Sequence, residues 1–280
     1  MSEPIRLGIF GWPVAHSKSP AMHVAAARAL GISLTYEKFA VEPDDLAEAV
    51  RDKHAAGIDG YNLTVPHKQA VIPLLDGISA EATAIGAVNT VVKTGDRYLG
   101  YNTDAPGFVR SLEDRGLALE GVHVSVLGAG GAARAGIVGL AQAGASRITV
   151  LARRPERAKE LVEALDDHVD VKLVAAALAE AEGPFSDSHL LVQATSATLE
   201  SNPHADAFAD ALPMDALPSD AAVVDMVYKP LRTSVLAKAE DLGLRTIDGL
   251  GMLLHQGAIA FEMWTGATPP LDVMRAALGD

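Results

Sequence analysis

The chain has 280 residues, 49% hydrophobic and 21% charged, with no cysteine. That suits one large or two ordinary globular domains and excludes disulfides, thiolate metal sites and cysteine nucleophiles. The balance of 23 Lys+Arg against 36 Asp+Glu, a net charge of −13, repels phosphate at long range, so nucleic acid and anionic membrane surfaces are not expected partners.

Met1–Phe10 has no cationic region leading into an apolar stretch, and no apolar window of about 18 residues occurs, so a soluble cytoplasmic protein is expected. Ile5–Phe10 reads as a strand ending in the turn Gly11-Trp12-Pro13. Ser19-Pro20 opens a helix to Leu30, with Ser19 at the N-cap and Gly31 as the stop. Leu34–Val41 is a strand, Asp44–Ala56 a helix, Ile58–Val65 a strand and Pro66–Leu75 a helix. Val88–Lys93 and Tyr98–Tyr101 form a hairpin around Thr94-Gly95-Asp96.

A helix from Asp104 leads to Gly116, and a second α/β series follows. Val122–Leu127, Arg147–Leu151, Leu190–Ala194 and Ala221–Met226 are strands; helices run up to Ala143 and over Pro155–Leu165. Asn202–Pro218 is an irregular excursion, and Gly249–Trp264 a buried helix, apolar nearly all round. Strands alternating with helices predict an α/β fold. Residues 1–104 would form one α/β domain and 105–240 a Rossmann-type dinucleotide-binding domain, with a C-terminal helical segment over 241–280.

Leu127 runs into Gly128-Ala129-Gly130-Gly131-Ala132-Ala133, a Gly-x-Gly-x-x-Ala turn between strand and helix. Gly128 permits the tight turn, Gly130 lets backbone approach a pyrophosphate, and Ala133 keeps helix and strand close. The free N–H groups and the dipole of the helix start then favour phosphate. An NAD site would carry Asp or Glu at the end of the next strand. Here Ala152-Arg153-Arg154-Pro155-Glu156-Arg157 stands there instead. Three arginines in five residues suit a 2′-phosphate, so the cofactor read from this turn is NADP.

Three polar clusters lie at loops of the first domain: His16–Pro20, Asn62–Lys68, and Gly86–Thr90 with Tyr101–Asp104. Their hydroxyls, amides, lysine and carboxylate suit a small, polyhydroxylated, anionic ligand. Taken singly each has a plainer explanation: Ser19 or Asp104 as a helix cap, Lys68 as a surface lysine. His16, His23 and His67 have no metal-ligand spacing, so no metal is expected.

Together these segments resemble the shikimate dehydrogenase family, over nearly the whole chain and in order. The resemblance rests on Ser17-Lys18-Ser19-Pro20, Asn62–Lys68, Gly86–Thr90, Asn102-Thr103-Asp104, Gly128–Arg134, Asp225–Tyr228 and Asp248–Gln256. That family reduces 3-dehydroshikimate to shikimate with NADPH, in aromatic amino-acid biosynthesis. The resemblance implies that 1–104 is an N-terminal α/β substrate domain with the C-terminal helices of 241–280 packing back on it, and that the active site lies in the cleft between it and the Rossmann-type domain. It implies Lys68 and Asp104 as the catalytic pair. It implies Ser17, Ser19, Thr64, Asn89, Asp104, Tyr228 and Gln256 around the substrate. Around the cofactor it implies Gly128, Ala129, Gly130, Gly131, Ala132, Ala152, Arg153, Arg154, Arg157, Met226 and Gly249. Two departures stand out: Ala152-Arg153-Arg154 replaces the family's common Asn-Arg-Thr, and Gln193 replaces the Asn of Asn-Ala-Thr-Ser. Lys18, between the two serines, leans towards shikimate over quinate.

In this reading Lys68 gives a proton during reduction and Asp104 orients it, while Ser17 and Ser19 hold the substrate carboxylate. The expected partner is the small-molecule substrate, shikimate or 3-dehydroshikimate, in a monomer or homodimer. A quinate or aminoshikimate dehydrogenase of the same fold, and a non-catalytic nucleotide sensor, are the alternatives; the sensor would be expected to lack the lysine–carboxylate pair.

Overall fold

The computed structural model describes residues 3–279. It divides into two units, one made of the residues up to Thr103 with those from Leu254 onward, the other of Asp104–Leu253.

The first unit opens with β1 (Ile5–Gly11), α1 (Ser19–Ala29), β2 (Leu34–Ala40), α2 (Leu46–Ala55), β3 (Gly60–Leu63) and α3 (His67–Ala70). Then come β4 (Gly77–Ile78), α4 (Ala80–Ile85) and the hairpin β5 (Thr90–Thr94) and β6 (Arg97–Tyr101). Its six-stranded sheet has the order β2-β1-β3-β5-β6-β4. β1 runs parallel to both neighbours, while β3–β5 and β5–β6 are antiparallel, so the sheet is mixed. Phe10 packs edge-on against Tyr61 at 5.0 Å and tilted on Phe39 at 4.8 Å, at the centre of one core cluster.

Local chemistry moves several boundaries. The helix expected over 66–75 is split into α3 and a 3₁₀ turn at Ile72–Leu74, because Pro73 has no N–H to continue the ladder. β4 and α4 are additions to the sequence reading. α4 is defined by its ends: Ser79 Oγ accepts from the Ala82 N–H at 3.0 Å, and Gly86 closes it with φ 67°. α1 starts at Ser19 itself. Its cap position is Lys18, with no side-chain cap, so Ser19 is not the N-cap expected.

The second unit runs α5 (Asp104–Glu113), β7 (His123–Leu127), α6 (Gly131–Gln142), β8 (Arg147–Ala152), α7 (Pro155–Asp166), β9 (Lys172–Ala177), α8 (Glu182–Phe185) and β10 (Leu190–Gln193). It continues with α9 (Ala205–Asp210), β11 (Ala222–Asp225), α10 (Ser234–Asp241) and β12 (Arg245–Ile247). All six strands are parallel in the order β12-β11-β10-β7-β8-β9. β7 to β9 build outward in one direction and β10 to β12 in the other. The order therefore reverses at the β7–β10 pair, where a doubly wound sheet leaves a crevice beyond its strand ends.

Two expectations are corrected here. β12 pairs with β11, so residues 241–253 belong with the second unit rather than ending it at 240. The excursion 202–218 is partly regular. It holds α9, and its Ala209, Leu212, Met214 and Leu217 join the core under β10 and β11. The chain ends with α11 (Leu250–Thr265) and α12 (Leu271–Ala277), the latter packed on α1. Most α11 positions are buried or half-buried, with Glu262 exposed.

α1 carries one costly group. His23 is fully buried, stacked on Tyr36 at 4.8 Å and edge-on to Trp264 at 5.2 Å; neither ring nitrogen makes a well-formed hydrogen bond, and the nearby Asn62 amide only partly offsets the burial. Burial pushes its pKa down to about 3. The unfolded chain takes up this proton from about pH 6.5 downward, while the folded chain does not until about pH 3. Stability therefore falls with acid across that window, by up to about 1.4 kcal/mol per pH unit. His23→Phe should flatten this limb: its urea midpoint should fall less between pH 6.5 and 4 than that of the parent chain. Parallel pH profiles would show that His23 is not the group responsible.

Candidate active site

In the first unit four of the residues expected at the substrate, Ser17, Ser19, Asn89 and Gln256, are joined by one largely buried polar network. Asn89, 2% exposed, donates from Nδ2 to Thr103 Oγ1 at 3.0 Å and to Gln256 Oε1 at 3.5 Å. Its Oδ1 accepts from the Thr103 N–H at 2.7 Å and from Thr90 Oγ1 at 3.1 Å. Asn62, on β3, donates to the Asn89 carbonyl and to Thr90 Oγ1, both at 3.0 Å. Its Oδ1 accepts from the Tyr36 hydroxyl at 2.6 Å. Ser19 interacts with that same phenol, and burial holds the Tyr36 pKa well above its ordinary value. Ser17 Oγ lies 3.3 Å from Ser19 Oγ.

Ser17, Ser19, Asn89 and Gln256 are thus linked through Tyr36, Asn62, Thr90 and Thr103. Asn62 and Thr103 stand inside the polar clusters of the sequence. Tyr36 gives no signal there, because a tyrosine on an alternating strand reads as core. Thr64 lies in the turn from β3 into α3, and Lys68 in α3 itself. A Cβ on Gly11 would lie 2.5 Å from Thr64 Cγ2, so only glycine lets β1 end against this turn. The Lys68 carbonyl accepts from the Val88 N–H at 2.8 Å, tying α3 to the approach to Asn89. Lys18 is otherwise engaged: its ammonium donates to the Leu278 carbonyl at the end of α12. That gives the lysine a structural role at the end of α12.

The second unit carries Asp104 at the first turn of α5, and Tyr228, 37% exposed, after β11. Burial raises the Tyr228 phenol above its ordinary pKa. At the strand-order reversal a cavity of about 710 Å³ opens beyond β7, β8 and β10. It is lined by Gly128, Ala129, Ala152, Arg153, Arg154 and Arg157 of the expected cofactor set, and by Thr195 and Ser196. No carboxylate is among the described residues that line it.

Gly128 has φ 116°, and a Cβ there would lie 2.8 Å from Thr195 Cγ2. Gly130 and Gly131, by contrast, face open space, and α6 begins without a side-chain cap. A start of helix with its first N–H groups uncapped and no Cβ in the way fits a pyrophosphate. Three arginines without a ribose-binding carboxylate fit the 2′-phosphate of NADP. Met226 and Gly249 meet each other: a Cβ on Gly249 would lie 2.5 Å from the Met226 carbonyl oxygen.

The polar floor of this half is Gln193, fully buried. Its Nε2 donates to Thr198 Oγ1 at 2.8 Å, to the Thr195 carbonyl at 3.0 Å and to Asp225 Oδ1 at 3.2 Å. Its Oε1 accepts from the Thr195 N–H at 2.7 Å. Asp225 accepts also from the Val227 N–H and the Thr233 hydroxyl; burial nevertheless raises its pKa. No group of His, Asp or Glu among the described residues could hold a metal.

Comparison with known proteins decides the family. Residues 9–91 match the shikimate dehydrogenase substrate binding domain, 111–248 the shikimate / quinate 5-dehydrogenase domain, and 249–278 the shikimate 5′-dehydrogenase C-terminal domain. The chain belongs to the shikimate dehydrogenase family. A shikimate dehydrogenase (NADP(+)) of Geobacter metallireducens is 44% identical over 96% of this chain and 94% of its own. The shikimate 5-dehydrogenase of Listeria monocytogenes, solved with shikimate and NAD, superposes with a TM-score of 0.92 at 32% identity, covering 99% of each chain. That of Thermus thermophilus, solved with NADP(H) and shikimate, gives 0.84 at 39% identity, covering 98% of each.

Two outcomes test the cofactor half. Replacing Arg153 and Arg154 together with Ala should raise the NADP Michaelis constant about a hundredfold and leave the NAD constant nearly unchanged. That is the loss of two charge-assisted contacts of about 1.5–3 kcal/mol each, reduced by exposure. Equal rises would assign the arginines to the fold or the pyrophosphate. Gly249→Ala should lower the melting temperature by several degrees, because its methyl meets backbone that must move. A thermal scan showing no change would mean that Met226 shifts freely.

Proposed function

We propose that this protein catalyses the reversible NADPH-dependent reduction of 3-dehydroshikimate to shikimate, within the aromatic amino-acid pathway leading to chorismate. The observation that carries this reading is the pairing, on one chain, of the buried Ser19–Tyr36–Asn62–Asn89–Gln256 network with a carboxylate-free arginine cavity at a Gly-x-Gly turn. The first offers hydroxyls and amides to a polyhydroxylated acid. The second offers charge to NADP. We infer a cytoplasmic location; no helix of the described residues is long and apolar enough to cross a membrane.

Gly128, Gly130, Arg153, Arg154 and Arg157 would hold NADPH, which when bound would supply the hydride that the ketone carbon needs. Lys68 gives the proton that the carbonyl oxygen needs as it becomes an alkoxide, and regains one from solvent; in the oxidative direction it takes the hydroxyl proton. Asp104 orients the ammonium and accepts from a ring hydroxyl. Ser17 and Ser19 donate to the carboxylate, and Ser19, in the first turn of α1, adds a helix start whose dipole favours an anion. Thr64, Asn89, Tyr228 and Gln256 fix the remaining hydroxyls, and hydrogen bonds that orient a ketone are worth most where charge develops on its oxygen.

The assay is NADPH absorbance with 3-dehydroshikimate, beside NADP reduction with shikimate or quinate. Because the matched family model covers shikimate and quinate enzymes alike, quinate turnover exceeding that of shikimate would overturn the substrate assignment. Lys68→Ala should cut kcat about 10²–10⁴-fold with a much smaller change in KM. Near-normal turnover in a folded variant would remove Lys68 from the chemistry. Ser17→Ala should raise the shikimate KM and lower the melting temperature slightly, because Ser17 Oγ accepts from the Ser19 N–H at 3.3 Å at the start of α1. Ser19→Ala should raise the same KM without loss of a helix cap, since Ser19 caps nothing.

A further inference from the structure

The excursion after β10 contributes a wall of the arginine cavity. Asn202, His204 and Phe208 line it together with Arg153, Arg154 and Arg157. The wall is held by its own hydrogen bonds. Asn202 Nδ2 donates to the Ala197 carbonyl at 2.6 Å, and its Oδ1 accepts from the His204 N–H at 3.1 Å. The His204 carbonyl in turn accepts from the Phe208 N–H at 2.9 Å, on the first turn of α9. The excursion is thus a built wall, and His204 is the one titratable group, besides the arginines, among the described residues that line the cavity.

We propose that His204 is a further recognition residue for the 2′-phosphate end of the dinucleotide, held in place by Asn202, and that its protonated form sharpens the preference for NADP over NAD. The proposal rests on the reading that this cavity takes NADP(H), and deepens it. An imidazolium is a charge-assisted donor to phosphate, and imidazole changes charge between pH 5 and 8 whereas guanidinium does not. The arginines therefore give a pH-independent grip, and His204 adds one that fades with rising pH. The charged groups around it are mostly engaged. Arg157 pairs with Glu160 at 3.0 Å, Glu200 with Lys229 at 3.6 Å, and Lys238 donates to the carbonyls of Ala209, Asp210 and Leu212. Glu180, on the turn that carries Leu178, and Asp206, two residues on from His204 in α9, do not line the cavity. Phe208 and Leu178 supply the apolar surface that an adenine ring needs.

The test is calorimetric binding of adenosine 2′,5′-bisphosphate and of 5′-AMP to the full chain, in phosphate-free buffer at about pH 6 and about pH 8. His204→Ala should weaken the bisphosphate about tenfold at the lower pH, the low end for one exposed charge-assisted contact, and about twofold or less at the higher. It should leave 5′-AMP unchanged at both. Taking the ratio of variant to parent removes the titration of the probe's own phosphates. Asn202→Ala should reproduce the loss at low pH, and Asn202→Asp, which keeps the acceptor for the His204 N–H, should recover part of it. A pH-independent ratio, equal losses for both probes, or no loss would each overturn the assignment. The Arg153→Ala/Arg154→Ala variant keeps the two readings apart. If it retains the bisphosphate preference, the cavity is not the 2′-phosphate site; if it loses that preference while His204→Ala does not, only the role of His204 falls.

Discussion

Asn62 and Asn89 are buried amides on neighbouring segments of one sheet, and each must find partners for a carbonyl and an amino group away from water. That requirement organises the first unit. Satisfying Asn89 fixes Thr103, the last residue before the chain passes to α5, and orients Gln256 on α11. Satisfying Asn62 fixes Tyr36 and, through its hydroxyl, the Ser19 turn. Segments distant in sequence are thus locked to one another by hydrogen bonds whose geometry tolerates little error. Half of such a network would be worse than none, because a buried group left unpaired costs about 1–3 kcal/mol. The network therefore positions polar side chains for a ligand as a consequence of satisfying itself.

The second unit solves the same problem with different residues. Gln193 uses its amide at both ends, and Asp225 collects a side-chain amide, a backbone N–H and a hydroxyl. The loops after β10 and β11 are pinned as a result. Close packing supplies the rest: a Cβ on Gly139 would lie 2.8 Å from the Ala105 carbonyl, so α6 lies directly on α5. Gln193 in place of the family's common Asn is accommodated because its longer arm reaches Thr198 as well as Asp225.

What the sequence reveals follows from where the physics is local. The Gly-x-Gly turn, the Thr94-Gly95-Asp96 hairpin and the run of arginines are legible because backbone conformation or charge at those positions depends on a few adjacent residues. Gly95 indeed has φ 61°, with β5 and β6 paired across it. Ser19 reads as a cap because Ser-Pro satisfies the cap pattern, whereas the helix includes the serine and starts one residue earlier. β4, β9 and β12 are hard to read because edge strands of two to six residues carry little periodicity and exist only through a neighbour. Tyr36 is silent because its role is set by Asn62, 26 residues away. The segment 202–218 looks irregular from its prolines, yet Ala209, Leu212, Met214 and Leu217 are buried, since tertiary packing can hold helices too short to form alone.

The charge distribution closes the argument about ligands. A chain of net charge −13 repels anions from afar, so affinity for an anionic cofactor has to be generated within a Debye length, about 8–10 Å. Arg153, Arg154 and Arg157 meet that need in five residues, with Arg157 already partly neutralised by Glu160. At the proposed substrate site the serine turn would meet it without charge, by hydroxyls and a helix start that would hold a small carboxylate by geometry rather than by field. The two kinds of anion would then be recognised by different physics. Raising ionic strength weakens contacts between charges more than neutral hydrogen bonds, so salt acts on the arginine cavity first and on the serine turn least.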